Sequence, residues 1–411
     1  MSTVTAAAAF DPARPAFTTE RFALLDLLRA EAPATYLPAL RVWAVTRWSD
    51  VRAVLRDATT FPSGSAFSAA VHLAPEAMAI MPLDSPLLAY SIINVDGVLH
   101  TRLRDPLIAA FSPKRVNALA PTVASDVEDL LEALAATQGD HDLVAALCRP
   151  LPLRTICRLF GIPLGDAAQL RAWSDAFISF QIPGLPVEAQ VGAAHGLRAL
   201  ESYLRDLIGE KANAPDDGLI SALTQGRTDG SHDLSDDELV ADIASVFFAG
   251  HETTINTLGN AFHAVLTDRA VWDAIVAGDV TAEALTTELL RHDTSVMGLY
   301  RRAATDTEIG GVAIPRGATL WVAFGAANRD PALFEQPQDL RFDRPTANQQ
   351  LAFGAGIHYC VGSALARLQI AEVITRTARR FPRMRLVPHA PIVELPHHAL
   401  RATLALPVLL A

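Results

Sequence analysis

The chain has few of the features that would assign it at once to a special class of protein. With three cysteines in 411 residues it lacks a disulfide framework, which points to a reducing compartment; Cys148 and Cys157 stand in apolar surroundings and read as core residues. No stretch approaches the roughly 18 uninterrupted apolar residues of a membrane span, and residues 1–17 lack the cationic start and apolar run of a signal peptide. The net charge of −11 disfavours binding to nucleic acid or to an anionic membrane. We therefore expect a soluble, cytoplasmic protein with no membrane insertion and no nucleic-acid partner.

Domain boundaries are missing as well. No Ser/Gly linker, Pro-rich spacer, charge block or internal repeat divides the chain. Hydrophobic residues make up 50% of the sequence, which is enough for a large core. Length alone would favour two or three domains of about 150 residues, but without a boundary we predict a single domain over residues 1–411.

The spacing of apolar residues predicts a mainly α fold with a minor β region. Helical patterns dominate from about residue 100 to about residue 292. Strand and turn patterns are confined to roughly residues 35–60, 296–330 and 385–411, with a hairpin pattern over 308–317. Residues 60–95 read as a long apolar loop interrupted by prolines, and loops of that length are usually functional or mobile.

One helix is expected to be much longer than the others. A Ser-Asp-Asp-Glu capping box at residues 235–238 begins a helical pattern that reaches roughly Leu266. About 30 residues at a rise of about 1.5 Å each span about 45 Å, enough to cross a domain. Because residues 243–248 are apolar nearly all round, this helix should be buried.

The middle of this helix carries polar side chains where burial makes them unfavourable. Residues 249–254 read Ala-Gly-His-Glu-Thr-Thr, so a glycine and two β-branched threonines weaken the helix at one turn. A buried acid beside a buried alcohol raises the free energy unless water or a ligand pairs with them. The acid Glu252 and the two threonines that follow it, Thr253 and Thr254, are therefore suspected of a function. A zinc site of the His-Glu-x-x-His type is excluded, since the fourth residue after the histidine is an isoleucine.

The most informative segment is a glycine-rich loop that contains a cysteine. Residues 353–362 read Phe-Gly-Ala-Gly-Ile-His-Tyr-Cys-Val-Gly, and a helical pattern follows. Gly354 and Gly356 allow tight backbone turns and the close approach of a flat partner. The free N–H groups of the helix point back towards Cys360 and stabilise its thiolate. A single thiolate with no second cysteine beside it suits an iron porphyrin better than zinc or an iron–sulfur cluster.

This loop resembles the haem-binding signature of the cytochrome P-450 family, Phe-Gly-x-Gly-x-His-x-Cys-x-Gly. The resemblance extends over essentially the full chain and implies the cytochrome P-450 fold, with its long central helix over the haem. It implies a bacterial-type haem-thiolate monooxygenase in which Cys360 is the axial ligand of the iron in haem b. It also implies that Thr253 holds dioxygen and its water, while Glu252 helps deliver the protons for O–O cleavage.

The resemblance further implies which residues hold the rest of the cofactor. Haem carries two propionates, and the forked guanidinium of arginine suits planar carboxylates. The implied propionate contacts are His100, Arg104, Arg301 and His358. The residues implied to lie against the ring are Phe353, Gly354 and Ala249.

A structural network is implied for the segment that leads to the loop. Glu288 and Arg291, three residues apart on a helix, would by themselves read as a surface ion pair of little energy. They match the family's Glu-x-x-Arg pair, which a further arginine completes. We expect Arg341 in this role, with Arg344 as the alternative.

Two positions depart from the family's pattern. Gln350 stands where a histidine often precedes the loop, so one propionate contact is expected to be weaker or made differently. Ser295 stands where a proline is usual, so the strand after it, which faces the substrate, is expected to be less fixed.

An apolar pocket is expected for a site of this kind. The residues placed there by their position in the chain are Met81, Leu88, Phe177, Phe180, Ser245, Phe248, Val296 and Met297. Methionine and phenylalanine at these spacings also read as plain core, and that alternative stays open. The pocket predicts a mostly hydrophobic small molecule as the substrate, with secondary metabolism as one setting for the reaction.

The electrons are expected to come from a separate protein, since the chain has no flavin domain. A ferredoxin and a ferredoxin reductase are the implied partners, with NAD(P)H as the ultimate source of electrons. Arg102, Lys114 and Arg115 offer cations on which an acidic partner could dock. The alternatives are a peroxide-driven enzyme and a haem-thiolate protein without turnover, and the pair of Glu252 and Thr253 argues against both.

Overall fold

The computed structural model describes residues 5–64, 73–82, 84–180 and 185–410, except for the side chain of Phe180. Helices make up most of this part of the chain and the strands are short, so the predicted mainly α fold with a minor β region is confirmed. Among these residues, no helix combines the length and the hydropathy that a membrane crossing requires.

The elements are numbered along the chain. The helices are α1 (Ala6–Ala9), α2 (Phe17–Glu31), α3 (Trp48–Arg56), α4 (Pro75–Ile80), α5 (Pro86–Ala89), α6 (Gly97–Ala110), α7 (Pro113–Ala118), α8 (Ala120–Ala135), α9 (Pro150–Phe160), α10 (Ala167–Phe180), α11 (Val187–Asn213), α12 (Leu219–Thr228), α13 (Asp236–Thr267), α14 (Arg269–Ala277), α15 (Ala282–His292), α16 (Phe324–Ala327) and α17 (Ser363–Arg380). The strands are β1 (Ala34–Leu37), β2 (Val42–Val45), β3 (His141–Asp142), β4 (Leu299–Arg302), β5 (Thr307–Ile309), β6 (Val312–Ile314), β7 (Thr319–Val322), β8 (Arg385–Leu386), β9 (Val393–Glu394), β10 (Thr403–Ala405) and β11 (Pro407–Leu409).

The contacts between residues divide the chain into two compact units. The mixed unit comprises Met1–Ser63, Pro121–Leu151 and Thr253–Ala411. The helical unit comprises Gly64–Ala120 and Pro152–Glu252. All of the strands named above belong to the mixed unit. The single domain expected over residues 1–411 stays a prediction.

The largest sheet of the mixed unit has four strands in the order β1-β2-β7-β4. The central pair, β2 and β7, is parallel, and the two outer pairings are antiparallel. The predicted hairpin is confirmed as β5 and β6, which turn at Gly310 and Gly311. These glycines have φ angles of 55° and 86°, a left-handed conformation that other residues rarely adopt.

An apolar core in the mixed unit packs α8, α14, α15 and α17 against the last turns of α13. Leu131, Phe262, Trp272 and Ile374 are completely buried in it. The buried indole N–H of Trp272 donates to the carbonyl of Pro382 at 3.1 Å, so its polar group is satisfied. This core holds α17, the helix that follows the cysteine loop.

In the helical unit, α11 packs against α4, α10 and α12. Residues 60–95, expected to be one long loop, contain the short helices α4 and α5. Pro75 and Pro86 are the first residues of these helices. Proline suits that position because the first helical N–H has no acceptor and the fixed φ already fits a helix. Two of the prolines that read as interruptions are therefore helix starts.

Helix α13 is 32 residues long, in agreement with the predicted long helix. Its capping box is confirmed, since the N–H of Ser235 donates to the Glu238 carboxylate at 2.9 Å and the N–H of Glu238 donates to Ser235 Oγ at 3.3 Å. Residues 236–252 belong to the helical unit and residues 253–267 to the mixed unit. The candidate residues Glu252 and Thr253 therefore stand where the helix passes from one unit into the other.

Candidate active site

The loop that carries Cys360 lies in the mixed unit and is closed by its own backbone. The N–H of Cys360 donates to the carbonyl of Phe353 at 3.0 Å. A single 3₁₀ turn, Gly356–His358, lies between them. Helix α17 begins three residues after Cys360, at Ser363. As a residue, Cys360 is partly exposed.

Both glycines of this loop have positive φ angles, 70° at Gly354 and 74° at Gly356. At Gly356 there is a second constraint, because a Cβ atom would lie 2.3 Å from the carbonyl oxygen of Leu55 in α3. The close approach that Gly356 permits is therefore to the backbone of a neighbouring helix. The close approach of a flat partner, expected from the sequence, stays a prediction.

The other two cysteines are buried thiols. Cys148 and Cys157 are both completely buried, as expected of core residues. Burial raises the pKa of the Cys157 thiol to about 11 and that of Cys148 further. Both therefore stay protonated at neutral pH, whereas Cys360 is the cysteine of this chain that is partly exposed.

A buried network of charges supports the segment before the loop. Glu288 and Arg291 in α15 have no exposed surface, and the guanidinium donates to both carboxylate oxygens at 2.8 and 2.6 Å. Arg344 completes the network, since its Nε donates to the same oxygens at 3.0 and 3.2 Å. Backbone carbonyls of Asn328, Pro337 and Asp339 accept the remaining protons of Arg291. This geometry satisfies the buried carboxylate and ties α15 to residues 328–344.

The expectation that Arg341 completes this network is wrong. The Arg341 side chain lies at the surface and pairs with Asp343 at 3.3 Å. Only the backbone N–H of Arg341 donates to Glu288, at 3.0 Å. Arg344, the alternative, is the arginine whose side chain turns inward.

Three side chains hold the residues that lead into the loop. Asn328 accepts from the N–H of Leu351 at 2.6 Å. Gln350, the departure from the family's histidine, accepts from the N–H of Ala352 at 2.6 Å, so it braces its own segment. Arg367 in α17 lies over the ring of Phe353, 5.3 Å from the ring centre. These contacts fix the approach to Cys360 from both sides.

The side chains at the centre of α13 differ in their exposure. Ala249 is exposed although its neighbours Phe247 and Phe248 are buried. Glu252 and Thr253 are half-buried. His251 is completely buried, and its Nδ1 donates to the carbonyl of Phe247 at 2.7 Å. The histidine side chain is thus bound within its own helix.

The four residues predicted to bind carboxylates are divided between the units. In the mixed unit, Arg301 is buried on β4 with 3% exposure, and His358 is half-buried in the cysteine loop. In the helical unit, His100 is buried and Arg104 is half-buried one turn later in α6. Within the mixed unit, the thiol of Cys360, the guanidinium of Arg301 and the imidazole of His358 are the kinds of group that an iron porphyrin with carboxylates requires, a sulfur ligand for iron and nitrogen donors for carboxylate oxygens.

The residues predicted to line a pocket have different environments. Met81 and Met297 are completely buried, and Met297 packs in a core with Phe10 and Trp321; their assignment to the pocket stays a prediction. An apolar pocket and an apolar core use the same residue types, which is why sequence spacing cannot separate them.

The other predicted pocket residues are partly accessible or stacked. Phe177 is half-buried and stacks on Phe248, with ring centres 3.8 Å apart. Leu88 and Ser245 are half-buried, and so is Val296 in the mixed unit. The side chain of Phe180 lies outside the described residues.

Two further expectations stay predictions, and the structure describes the surroundings of their residues. Ser295 is buried, and its hydroxyl lies 2.8 Å from the hydroxyl of Thr257 in α13, a contact that its sequence position does not reveal. Of the predicted docking cations, Arg102 pairs with Glu238 and Asp233, and Arg115 donates to the carbonyl of Gly218.

Known proteins resemble the chain over nearly its whole length. The family model described as "Cytochrome P450" matches residues 185–277 and 281–400. Cytochrome P450 monooxygenase PikC of Streptomyces venezuelae is 32% identical over 95% of this chain and 91% of its own length. Cytochrome P450 107B1 of Saccharopolyspora erythraea is 34% identical over 84% of each chain. Among solved structures, cytochrome P450 CREJ in complex with (4-ethylphenyl) dihydrogen phosphate superposes with a TM-score of 0.90 at 31% identity, over 98% of each chain.

Proposed function

The chain belongs to the cytochrome P450 family and is a haem-dependent monooxygenase, and from this premise we propose that it oxidises a mostly hydrophobic small molecule with dioxygen. Two electrons come from a ferredoxin-type partner and ultimately from NAD(P)H. The observation that carries the proposal is the setting of Cys360, a partly exposed thiol in a closed loop that buried charges support.

The residues that would hold the haem follow from this setting. Cys360 would bind the iron through its thiolate, and Phe353, Gly354 and Ala249 would lie against the ring. The carboxylates would be bound by His100, Arg104, Arg301 and His358. A thiolate-ligated haem, when bound, supplies the chemistry that cleaves dioxygen and oxidises an unactivated carbon.

The side chains in the middle of α13 supply protons and order water. The hydroxyl of Thr253 can hold a water molecule, and the Glu252 carboxyl can pass protons to it from solvent. Glu252 Oε1 lies 3.5 Å from Nε2 of the buried His251, which limits the directions the carboxylate can take. This pair supports a reaction driven by electron transfer over one driven by peroxide.

A hydrophobic substrate is supported by the stacked rings of Phe177 and Phe248 and by the half-buried Leu88, all within the helical unit. The solved relative CREJ holds (4-ethylphenyl) dihydrogen phosphate, whose aryl ring is joined to a phosphate group. A half-buried aromatic face stabilises apolar and aromatic ligands by stacking and by area burial. Hydroxylation of a small apolar or aryl compound is therefore the proposed reaction.

The spectrum of the reduced protein with carbon monoxide tests this function. We expect the red-shifted band of a thiolate-bound haem in the parent protein and in Cys157→Ala, and its loss in Cys360→Ser. A parent protein without this band, or a Cys360→Ser variant that keeps it, would overturn the proposal. Turnover with NADPH, ferredoxin and reductase, compared with turnover with peroxide alone, separates the two modes of oxidation.

A further inference from the structure

We propose that Ser295 and Thr257 are positioning residues, whose two hydroxyls hold the turn of α13 that contains Thr253 in register with the chain around Val296. This inference rests on the proposed function, because Thr253 has its role only in a monooxygenase. All of these residues belong to the mixed unit.

The hydroxyls form a directed chain of hydrogen bonds. Thr257 Oγ1 donates to the backbone carbonyl of Thr253 at 2.7 Å. Ser295 Oγ lies 2.8 Å from Thr257 Oγ1, and both residues are only 6% exposed. Since a hydroxyl has one proton and that of Thr257 goes to the carbonyl, Ser295 is the donor to Thr257.

The carbonyl of Thr253 gains a second donor from this arrangement. In a regular helix this carbonyl accepts only from the N–H of residue 257. A threonine hydroxyl that bonds the carbonyl one turn earlier bends a helix slightly. The Thr253 carbonyl can therefore tilt towards the hydroxyl and stay satisfied, and Ser295 determines where that hydroxyl points.

The same segments are joined a second time, one turn further along α13. The carbonyl of Ser295 accepts from the N–H of Arg401 at 2.7 Å. The amide of Asn260 donates to the Arg401 carbonyl at 3.0 Å and accepts from the N–H of Thr403 at 2.9 Å. These hydrogen bonds form a closed ring, which we call the hydroxyl clamp. It joins residues 257–260, 295 and 401–403. A ring of buried bonds restricts the movement of each member more than single bonds would.

The clamp connects Thr253 to a residue placed to meet substrate. Val296 follows Ser295 directly, is half-buried, and pairs with Leu400 in an isolated antiparallel bridge. Met297 continues this pairing, because its N–H donates to the carbonyl of Ala399 at 2.8 Å. A shift of residue 296 caused by substrate would therefore reach the Thr253 carbonyl through two hydroxyls.

Loss of the clamp should divert electrons from product. In the coupled reaction, substrate, dioxygen, two electrons and two protons give the hydroxylated product and one water. With a loosened Thr253 turn, dioxygen takes the same two electrons and two protons and leaves as hydrogen peroxide. The electrons come from NADPH through the ferredoxin partner in both cases, so product formed per NADPH consumed measures the diversion.

The test uses Ser295→Ala and Thr257→Val in the full-length holoenzyme. We expect product per NADPH to fall by about two- to tenfold, the range that one ordinary hydrogen bond represents, with a matching rise in peroxide. Thr257→Ser, which keeps the hydroxyl, should restore coupling. Product per NADPH in the double variant should be no lower than in the more impaired single variant, because both substitutions break the same chain of hydrogen bonds.

Thr267→Val is the matched control for the hydroxyl itself. The hydroxyl of Thr267, near the end of α13, donates to the carbonyl of His263 at 2.7 Å. This bond joins a threonine to the carbonyl four residues earlier, as the Thr257 bond does, but its position is exposed. It should leave coupling unchanged. The second readout is hydrogen–deuterium exchange of a peptide over residues 250–258, which should be faster in Ser295→Ala and unchanged in Thr267→Val.

The outcomes separate this inference from the function it rests on. A parent protein without the thiolate spectrum or NADPH-driven turnover would defeat the proposed function, and the exchange data would still decide whether the clamp orders α13. The clamp would be overturned if the parent protein showed the thiolate spectrum and NADPH-driven turnover, and if Ser295→Ala and Thr257→Val kept its coupling and its hydrogen exchange. An equal loss of coupling in Thr267→Val would overturn it as well.

Discussion

At the residue scale, the clearest conflict between a side chain and its surroundings is at Asp242, in the apolar first half of α13. The side chain is completely buried, and neither carboxylate oxygen has a hydrogen-bond partner among the residues that the structure describes. Burial, together with the carboxylate of Glu238, raises the pKa of Asp242 well above its usual value, while Arg102 opposes this. The folded protein therefore favours the neutral acid.

An apolar residue of similar size at this position should stabilise the protein. We expect Asp242→Leu to raise the free energy of unfolding by about 1–3 kcal/mol at about pH 8, the cost of a buried polar group without a partner. In the unfolded chain the aspartate has a pKa near 3.8, whereas in the folded protein the pKa of Asp242 is higher. The parent protein therefore loses stability as the pH rises from the first pKa to the second. Thermal unfolding of the parent and of Asp242→Leu should show that the variant is more stable, by a larger margin at about pH 8 than at about pH 5.

The exposed Asp206 in α11 provides the control for Asp242. Asp206→Leu removes a carboxylate from the same unit without changing a buried group, so its thermal midpoint should stay close to that of the parent at both pH values. An Asp242→Leu variant less stable than the parent at both pH values would show that the acid makes a contact the fold needs.

What sequence can identify at this scale depends on whether a residue breaks the pattern of its own segment. Cys360 ends a glycine-rich loop, and Glu252 with Thr253 interrupts an apolar helix, so each is visible locally. Asp242 breaks an apolar run in the same way and could have been identified by the same signal. The choice between Arg341 and Arg344 is different, because it depends on which of two side chains in an irregular segment turns inward, and no sequence period encodes that.

At the element scale, α15 and the irregular segment 328–344 support the cysteine loop through buried charge. Glu288 accepts from two guanidinium groups, and the side chains of Arg291 and Arg344 are 0% and 2% exposed. Removing one partner from such a network leaves a desolvated charge uncompensated. We therefore expect the link between α15 and residues 328–344 to depend on all three charges together.

This network predicts a large difference between two nearby arginines. We expect Arg344→Ala to lower the free energy of unfolding by about 3–5 kcal/mol and to reduce the fraction of protein with a thiolate-type carbon monoxide spectrum. Arg341→Ala should change neither, since its guanidinium pairs only with surface groups and its backbone N–H is kept. Thermal unfolding and the spectrum measure both effects. Equal destabilisation by the two variants would contradict the inward placement of Arg344.

Elements whose signals are local are predictable, and contacts between distant segments are not. The capping box of α13 and the β5–β6 hairpin depend on residues within a few positions of one another, and both are confirmed. The fixing of Ser295 depends on Thr257, which is 38 residues away in the sequence. A proline at this position would fix the chain by its own ring, whereas a serine does so through a partner that only the fold brings near.

At the scale of the whole molecule, composition limits the classes of partner but does not locate their binding surface. Because the net charge is −11, an acidic electron carrier of the kind proposed above would need a local group of cations on which to dock. Arg102 is engaged by Glu238 and Asp233, which leaves the exposed Lys114 as the accessible member of the predicted group. We therefore propose that a docking surface for such a carrier includes cations beyond those three.

The continuity of α13 predicts how the whole chain unfolds. The helix runs without a break through the point where the two units divide, at Glu252 and Thr253. Since helical turns are stabilised cooperatively by their neighbours, we propose one cooperative domain over residues 1–411. Differential scanning calorimetry should give a single transition with equal calorimetric and van't Hoff enthalpies, and hydrogen exchange near the midpoint should rise together in peptides from both units. Two transitions, with the peptides of one unit exchanging first, would show that the units unfold independently and that the single-domain proposal is wrong.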